Sequence, residues 1–306
     1  MRAPRLATPA ALVLILACGP SPAPAGGHLV IDGLGRSVSA PTSPRRIVAL
    51  APSVTDSLFA LGFGDRLVGV SDFCVLPPGV GPIARVGGIL NPSLEAIRAL
   101  RPDLLIATTS GNDPSLAPQA GALGLPLYTM NTPDVAATLA SLEEIAGLLG
   151  DRERGRRLAA ALRGRLEAVR ARVGPLRPTR VLFLVWSAPL VVPGRPAFLT
   201  DALRRAGAAS VTADAPAAWP AFDLESALAR APEAILTTSK NSAFAERLPR
   251  DPAWKEVPAV RRGRILIVGE AIEQPGPGVV GGIEEVARLL HPEAFADGAR
   301  QGPLKD

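Results

Sequence analysis

Short apolar runs alternate with helical stretches along almost the whole chain. Residues 46–50 form a continuous apolar run behind Arg46, as expected of a parallel strand covered on both faces. Pro52 and Ser53 open a helix predicted over 54–61 and closed by Gly62. The next strand is 67–70, followed by a long Pro- and Gly-rich loop over 71–92 that holds Phe73 and Cys74. Loops of that length in compact domains commonly carry function. Helix 94–100, strand 103–107, helix 118–123 and strand 126–130 complete a first α/β unit. Residues 135–172 keep a helical pattern broken only at Gly150-Asp151, with Gly155 and Gly164 as weak points in the second part. That second part, 152–173, would span about 33 Å at ~1.5 Å per residue, which suits a rigid connector. After a Pro-bounded turn at 175–178 the alternation resumes: strand 180–185, helix 201–206, strand 264–268 and a last helix over 279–290. A strand-like piece at 29–31 precedes the first unit.

One pattern occurs twice at a constant offset of 130. Leu94-Glu95, Ala99, Pro102-Asp103 and Thr108-Thr109 are matched by Leu224-Glu225, Ala229, Pro232-Glu233 and Thr238-Ser239. Each copy reads as a helix that begins with a glutamate, ends before a proline and runs into a buried strand. A helix–strand unit used twice implies two similar α/β lobes. It also sets one carboxylate, Glu95 or Glu225, at the same place on each lobe. Helix capping accounts for each glutamate singly, because Ser93 and Asp223 are natural N-caps and an acid beside them favours the helix dipole.

The chain has 306 residues, 47% hydrophobic and 20% charged, a globular balance with room for two domains. Its net charge of +5 is not spread as a nucleic-acid groove. Arg2 and Arg5 sit ahead of an apolar run, and eight of the remaining basic residues crowd into 151–172 as a solvated helix face. The run 10–17 is too short to span a bilayer and has the form of a signal peptide. It ends Ile15-Leu16-Ala17-Cys18-Gly19, which resembles a bacterial lipobox with Cys18 as the lipidated residue; ordinary secretion is the alternative. Residues 19–27 have a linker's composition. Cys74 is then alone, so no disulfide framework is expected.

Catalytic constellations are absent from the sequence. His28 and His291 neighbour no nucleophile motif, no glycine loop fits a phosphate cradle, and no Cys or His pair has metal-ligand spacing. Those three absences point to binding rather than catalysis, with no cofactor expected.

The runs RIVALAPSVTD at 46–56, LVGVSDFC at 67–74, RVGG at 85–88, NPSLE at 91–95 and RPDLLI at 101–106 share an order along the chain. In that order they resemble the periplasmic binding proteins for vitamin B12 and iron chelates, the substrate-binding components of ABC importers. The likeness covers roughly 45–292. It implies two Rossmann-like α/β lobes joined by a single long connecting helix, with a ligand cleft between the lobes and little domain closure. The expected division is a signal peptide at 1–17, a lipid-anchored linker and N-terminal strand at 18–44, lobes at 45–150 and 174–292, the connecting helix at 151–173 and a tail at 293–306.

The resemblance also assigns roles. Glu95 and Glu225 match the lobe glutamates that dock onto arginines of the dimeric inner-membrane permease. Pro52 and Ser53 fall where the family's first strand meets its cleft, Phe73 matches an aromatic position, and Trp219 matches a cleft tryptophan. Trp186 joins them as a ligand-binding candidate from its position at a strand end. The loop at 273–278 departs from the family by lacking an arginine, so an uncharged cleft is expected. Siderophores and haem propionates want Arg or Lys in the cleft, and the only tyrosine, Tyr128, falls in a predicted strand. Cobalamin or a related corrinoid therefore ranks first, an iron–siderophore second and haem third. The implied protein is exported to the periplasm or cell surface, membrane-anchored through Cys18, and monomeric. A chelatase-like enzyme acting on a tetrapyrrole is the rival from another class.

Overall fold

The computed structural model describes residues 27–299. An antiparallel hairpin opens it, β1 (Gly27–Ile31) against β2 (Ser37–Pro41). The first lobe follows in the order β3 (Ile47–Ala49), α1 (Pro52–Ala60), β4 (Leu67–Val70), β5 (Ala84–Arg85), α2 (Leu94–Ala99), β6 (Leu104–Thr108), α3 (Leu116–Ala122) and β7 (Leu127–Met130). Its five strands pair in parallel in the order β5-β4-β3-β6-β7. Two helices come next, α4 (Val135–Leu148) and α5 (Arg152–Val173). The second lobe comprises β8 (Thr179–Leu184), the small hairpin β9 (Trp186–Ser187) and β10 (Leu190–Val191), α6 (Phe198–Arg205), β11 (Ala208–Ser210), α7 (Leu224–Arg230) and β12 (Ala234–Thr238). It ends with α8 (Ser242–Ala245), α9 (Pro258–Arg261), β13 (Ile265–Val268) and α10 (Val279–Leu290). Its four-stranded sheet is parallel in the order β11-β8-β12-β13.

The central strands are mainly apolar because each sheet is covered on both faces there, whereas β5 at the edge is exposed and carries Arg85. Every residue of β6 and β12 is buried. Alternation sorts their neighbours. Ile47 and Ala49 face a central core while Val48 and Leu50 face an outer one against α2 and α3. In the second lobe Val181 and Phe183 face the central core, and Leu182 and Leu184 pack outward with Leu248 and Trp254. The central core is continuous from lobe to lobe, through Leu139 and Ile145 of α4, Leu162 and Leu166 of α5, and Ile283 of α10.

Both long helices have side-chain caps: Asp134 accepts from the Ala137 amide at 2.8 Å, and Asp151 accepts from the Arg154 amide at 3.0 Å. The buried seam of α5 is Gly155, Ala159, Leu162, Leu166, Val169 and Val173, spaced at three and four residues. This seam lies on α4 and reaches α6 and α10 of the second lobe. Gly155 makes the closest approach, since a Cβ there would stand 2.5 Å from the Leu142 carbonyl oxygen.

Polar ties reinforce the junction. Arg165 of α5 makes two hydrogen bonds of 2.8 Å to Glu284 of α10. Asp201 of α6 accepts from the Val135 amide at 3.1 Å and from Arg205 Nε at 2.8 Å, and also pairs with Arg204. Burial alone would raise the Asp201 carboxyl, but these donors outweigh it and hold the group below the ordinary carboxylate value. His291 is buried with Nε2 at 2.9 Å from the Gly207 carbonyl, a structural role.

Sequence pattern placed most of the long elements within a residue or two of where they lie, but α6 begins three residues before the expected 201–206 helix. It did not mark β2, β5, the β9–β10 hairpin, β11, α8 or α9, all of five residues or fewer.

Candidate functional site

Strand order reverses once in each sheet, between β3 and β6 in the first lobe and between β8 and β12 in the second. In open parallel sheets, ligands bind beyond the carboxyl ends of the strands at such a reversal. Here both reversals open onto one cavity of about 220 Å³ between the lobes. From the first lobe, the chain leaving β3 contributes Ala51, Pro52 and Ser53, and the chain leaving β6 contributes Thr108, Ser110 and Gly111. From the second come Val185 beyond β8, Lys240 beyond β12, Leu199, Trp219 and the 273–275 turn.

Local chemistry fixes these segments. Pro52 occupies the first turn of α1, where its missing N–H costs nothing. Asn112 ties three segments of the wall: its Nδ2 donates to the Leu50 carbonyl at 3.0 Å and the Ile89 carbonyl at 2.7 Å, and its Oδ1 accepts from the Thr108 amide at 2.9 Å. In the second lobe Asn241 ties its own segment to the end of β8, donating to the Val185 carbonyl at 3.0 Å. The lobes meet where Gly276 lies on Ser53; a Cβ on that glycine would stand 3.3 Å from the Ser53 carbonyl oxygen.

The cavity is not uncharged, and this corrects the expectation drawn from the 273–278 loop. Lys240 and Glu273 both line it. Lys240 Nζ stands 3.1 Å from Glu273 Oε2 and 3.3 Å from Glu270 Oε2. Glu273 also accepts from Thr238 Oγ1 at 3.3 Å, and Ser239 Oγ donates to Glu270 at 2.6 Å. Burial pushes the Glu273 carboxyl up against the pull of Lys240, whereas the Ser239 hydroxyl and Lys240 hold Glu270 down. The offset of 130 that relates the two repeats maps Ser110 onto Lys240. That correspondence was the signal that could have placed the lysine in the cleft.

The proposed ligand contacts divide. Pro52, Ser53 and Trp219 line the cavity together; Phe73 and Trp186 lie outside its lining. Trp219 is 45% exposed and packs edge-on against Phe198 with ring centroids 6.3 Å apart. Phe73, beyond the carboxyl end of β4, is 65% exposed. Its loop is clamped by Arg85, whose Nη1 donates to the Ser71 carbonyl at 2.9 Å and the Cys74 carbonyl at 2.7 Å. Trp186, beyond β8, is 54% exposed and donates from Nε1 to the Ala188 carbonyl at 3.0 Å. Cys74 is buried beside Thr55 and Ser71, at 3.1 and 3.3 Å from their hydroxyls. Cys18 and the rest of the leader and linker lie outside the described residues.

The sequence repeat is also a structural repeat. Over 91–110 and 221–240, burial agrees at every position except Pro102 and Pro232. Ser93 and Asp223 cap α2 and α7 alike, accepting from the amides of Ala96 at 3.2 Å and Ser226 at 2.6 Å. Both copies end in a left-handed residue without being glycine, Arg101 at φ 47° and Ala231 at φ 45°. Arg46 and Arg180 close the two helices by donating to the carbonyls of Leu100 at 2.6 Å and of Arg230. Glu95 and Glu225 are exposed in the first turns. Each helix returns from the carboxyl end of its sheet, so both carboxylates stand at the same end of the lobes as the cleft.

Larger hollows of about 630 and 600 Å³, and one of about 280 Å³ at the carboxyl ends of α5 and α6, lie elsewhere. The first is at the amino ends of β8 and β13, and the second lies beside β1 and α4, so neither sits at a strand-order reversal. Among the described residues no three His, Cys, Asp or Glu side chains cluster as metal ligands.

Comparison with known proteins agrees with this architecture. The crystal structure of the periplasmic vitamin B12 binding protein BtuF of Vibrio cholerae superimposes with a TM-score of 0.75 at 26% identity, covering 83% of this chain and 99% of that one. The periplasmic heme-binding protein RhuT from Roseiflexus sp. RS-1 gives a TM-score of 0.74 at 27% identity, covering 82% and 99%. An ABC transporter substrate-binding lipoprotein of Bacillus subtilis, YvrC, is 26% identical over 278 residues, 87% of this chain and 86% of its own. The periplasmic binding protein family model matches residues 47–271, most of the two lobes and all of α5, and the chain belongs to that family.

Proposed function

We propose that the protein captures cobalamin or a related corrinoid in the interlobe cleft and delivers it to the permease of an ABC importer. It works by binding and release and carries out no reaction. The observation that supports this most strongly is the convergence of both strand-order reversals on one cavity whose single lysine is neutralised within the protein. Such a cleft suits a large ring bearing neutral amides, held by apolar contact and hydrogen bonds. Pro52, Ser53 and Trp219 would form the floor, with Phe73 and Trp186 reaching the ring from the rim. The cavity is smaller than the ~300–1,000 Å³ usual for small-molecule sites. A corrinoid would therefore stand partly out of it or hold the lobes further apart. Glu95 and Glu225 would dock one lobe onto each permease subunit, giving register more than raw affinity. The protein is exported, and lipid on Cys18 would keep it, as a monomer, at the membrane that holds the permease.

The likeness to a heme-binding protein favours haem as the second reading. Tyr128 does not help that reading, because its hydroxyl donates to Glu144 at 3.0 Å from within β7.

Calorimetric titration of the purified protein with cyanocobalamin tests the ligand. One-to-one binding below a micromolar Kd supports a corrinoid; absence of heat and of thermal stabilisation refutes it and moves the search to iron chelates. For docking, Glu95→Ala with Glu225→Ala should abolish uptake in a reconstituted transporter. An equal loss of ligand binding in that double variant would return both glutamates to the fold.

A further inference from the structure

The cluster around Lys240 sits where a ligand's edge would meet the second lobe, yet it does not offer a free cation. Its ammonium lies between two carboxylates at 3.1 and 3.3 Å. The nearer one, Glu273, has a side chain only 9% exposed and is held in place by Thr238 as well. The outer one, Glu270, is anchored by Ser239. One cation therefore faces two anions at the cavity wall, and the local balance is negative. An anionic ligand accepting the remaining N–H of Lys240 would bring a third negative group to one ammonium already held by two carboxylates. A neutral ligand meets no such penalty and can accept from Lys240 or donate to Glu273 as they stand.

We propose that Glu273, backed by Glu270, determines the charge specificity of the cleft, by occupying Lys240 so that neutral amide-bearing rings enter and carboxylate-bearing rings are turned away. The inference rests on the reading that the interlobe cavity is the ligand site, but not on the ligand being a corrinoid.

The test compares two probes, cyanocobalamin and ferric protoporphyrin IX with its two propionates, on the wild type, Glu273→Gln, Glu270→Gln and Glu273→Gln with Lys240→Met. Fluorescence or calorimetric titration gives each affinity, and thermal melting checks folding. Glu273→Gln should shift the porphyrin-to-cobalamin affinity ratio at least tenfold towards porphyrin, about 1.4 kcal/mol. The shift should shrink as salt rises and vanish when Lys240→Met is added. Exposed Glu270→Gln should move the ratio in the same direction by a smaller factor, which keeps the test decisive should Glu273→Gln misfold. An unchanged ratio, or a gain that survives Lys240→Met, overturns the proposal. If the wild type ignores cyanocobalamin while porphyrin affinity still rises in Glu273→Gln, the corrinoid reading fails and the charge selector stands.

Discussion

Gly155 and Gly164 look alike in the sequence, two glycines in one long helix, but the structure gives them opposite roles. A Cβ on Gly155 would stand 2.5 Å from the Leu142 carbonyl oxygen, 2.6 Å from Ala146 Cβ and 2.8 Å from Glu143 Cα. None of these is the end of a flexible side chain, so the only relief is for α5 to move off α4 along the seam that joins the lobes. Overpacking of that kind costs about 1–3 kcal/mol. Better helix propensity returns up to ~1 kcal/mol of it. At Gly164 an added Cβ has nothing within 4 Å, so only the propensity gain remains. Gly155→Ala should therefore destabilise by about 1 kcal/mol and Gly164→Ala should stabilise by up to ~1 kcal/mol. At roughly 2–4 °C per kcal/mol for a chain of this size, the two melting temperatures should straddle the wild type and differ by about 4–8 °C. Calorimetric melting of the two variants reads this directly. Shifts of the same sign would refute the account of the α4–α5 contact.

Two further outcomes follow from named groups. Ala231 holds φ 45° at the end of α7, a conformation that costs a β-carbon residue ~1–2 kcal/mol, so Ala231→Gly should stabilise by about 1 kcal/mol in urea unfolding; destabilisation would contradict the strain. The depressed Asp201 carboxyl contributes stability that is complete above the unfolded aspartate value of ~3.9 and is lost as pH falls through the lower folded value. Asp201→Asn should therefore cost about 1.5–3 kcal/mol at pH 7 and flatten the acid limb below pH ~4; an unchanged acid limb would remove Asp201 from the interlobe tie.

Much of the fold was legible because its main strands are buried on both faces and read as plain apolar runs, β3, β6 and β12 above all. The α4–α5 boundary was legible from Gly150-Asp151, since Asp151 is a cap whose side chain accepts from the helix it starts. β5 was not, because its two residues are exposed and become a strand only by pairing with β4. The cleft was half legible. Pro52 and Ser53 could be placed because they follow an obvious strand directly, and Trp219 because it resembled a family position. Lys240 and Glu273 could not be paired from sequence, because 33 residues separate them and only the parallel β12–β13 pairing sets their segments side by side.

The continuous core between the lobes makes the molecule one cooperative unit, since neither sheet keeps its inner face covered without α4, α5 and α10. Ligand captured at the cleft therefore stabilises every element at once, including those far from it. A ligand at 100 times its Kd would add about 2.7 kcal/mol to unfolding as a whole. Cargo loading is thus written into the global melting curve, and a melting shift, with no optical label and no knowledge of the contacts, is a sufficient reporter for screening chelates.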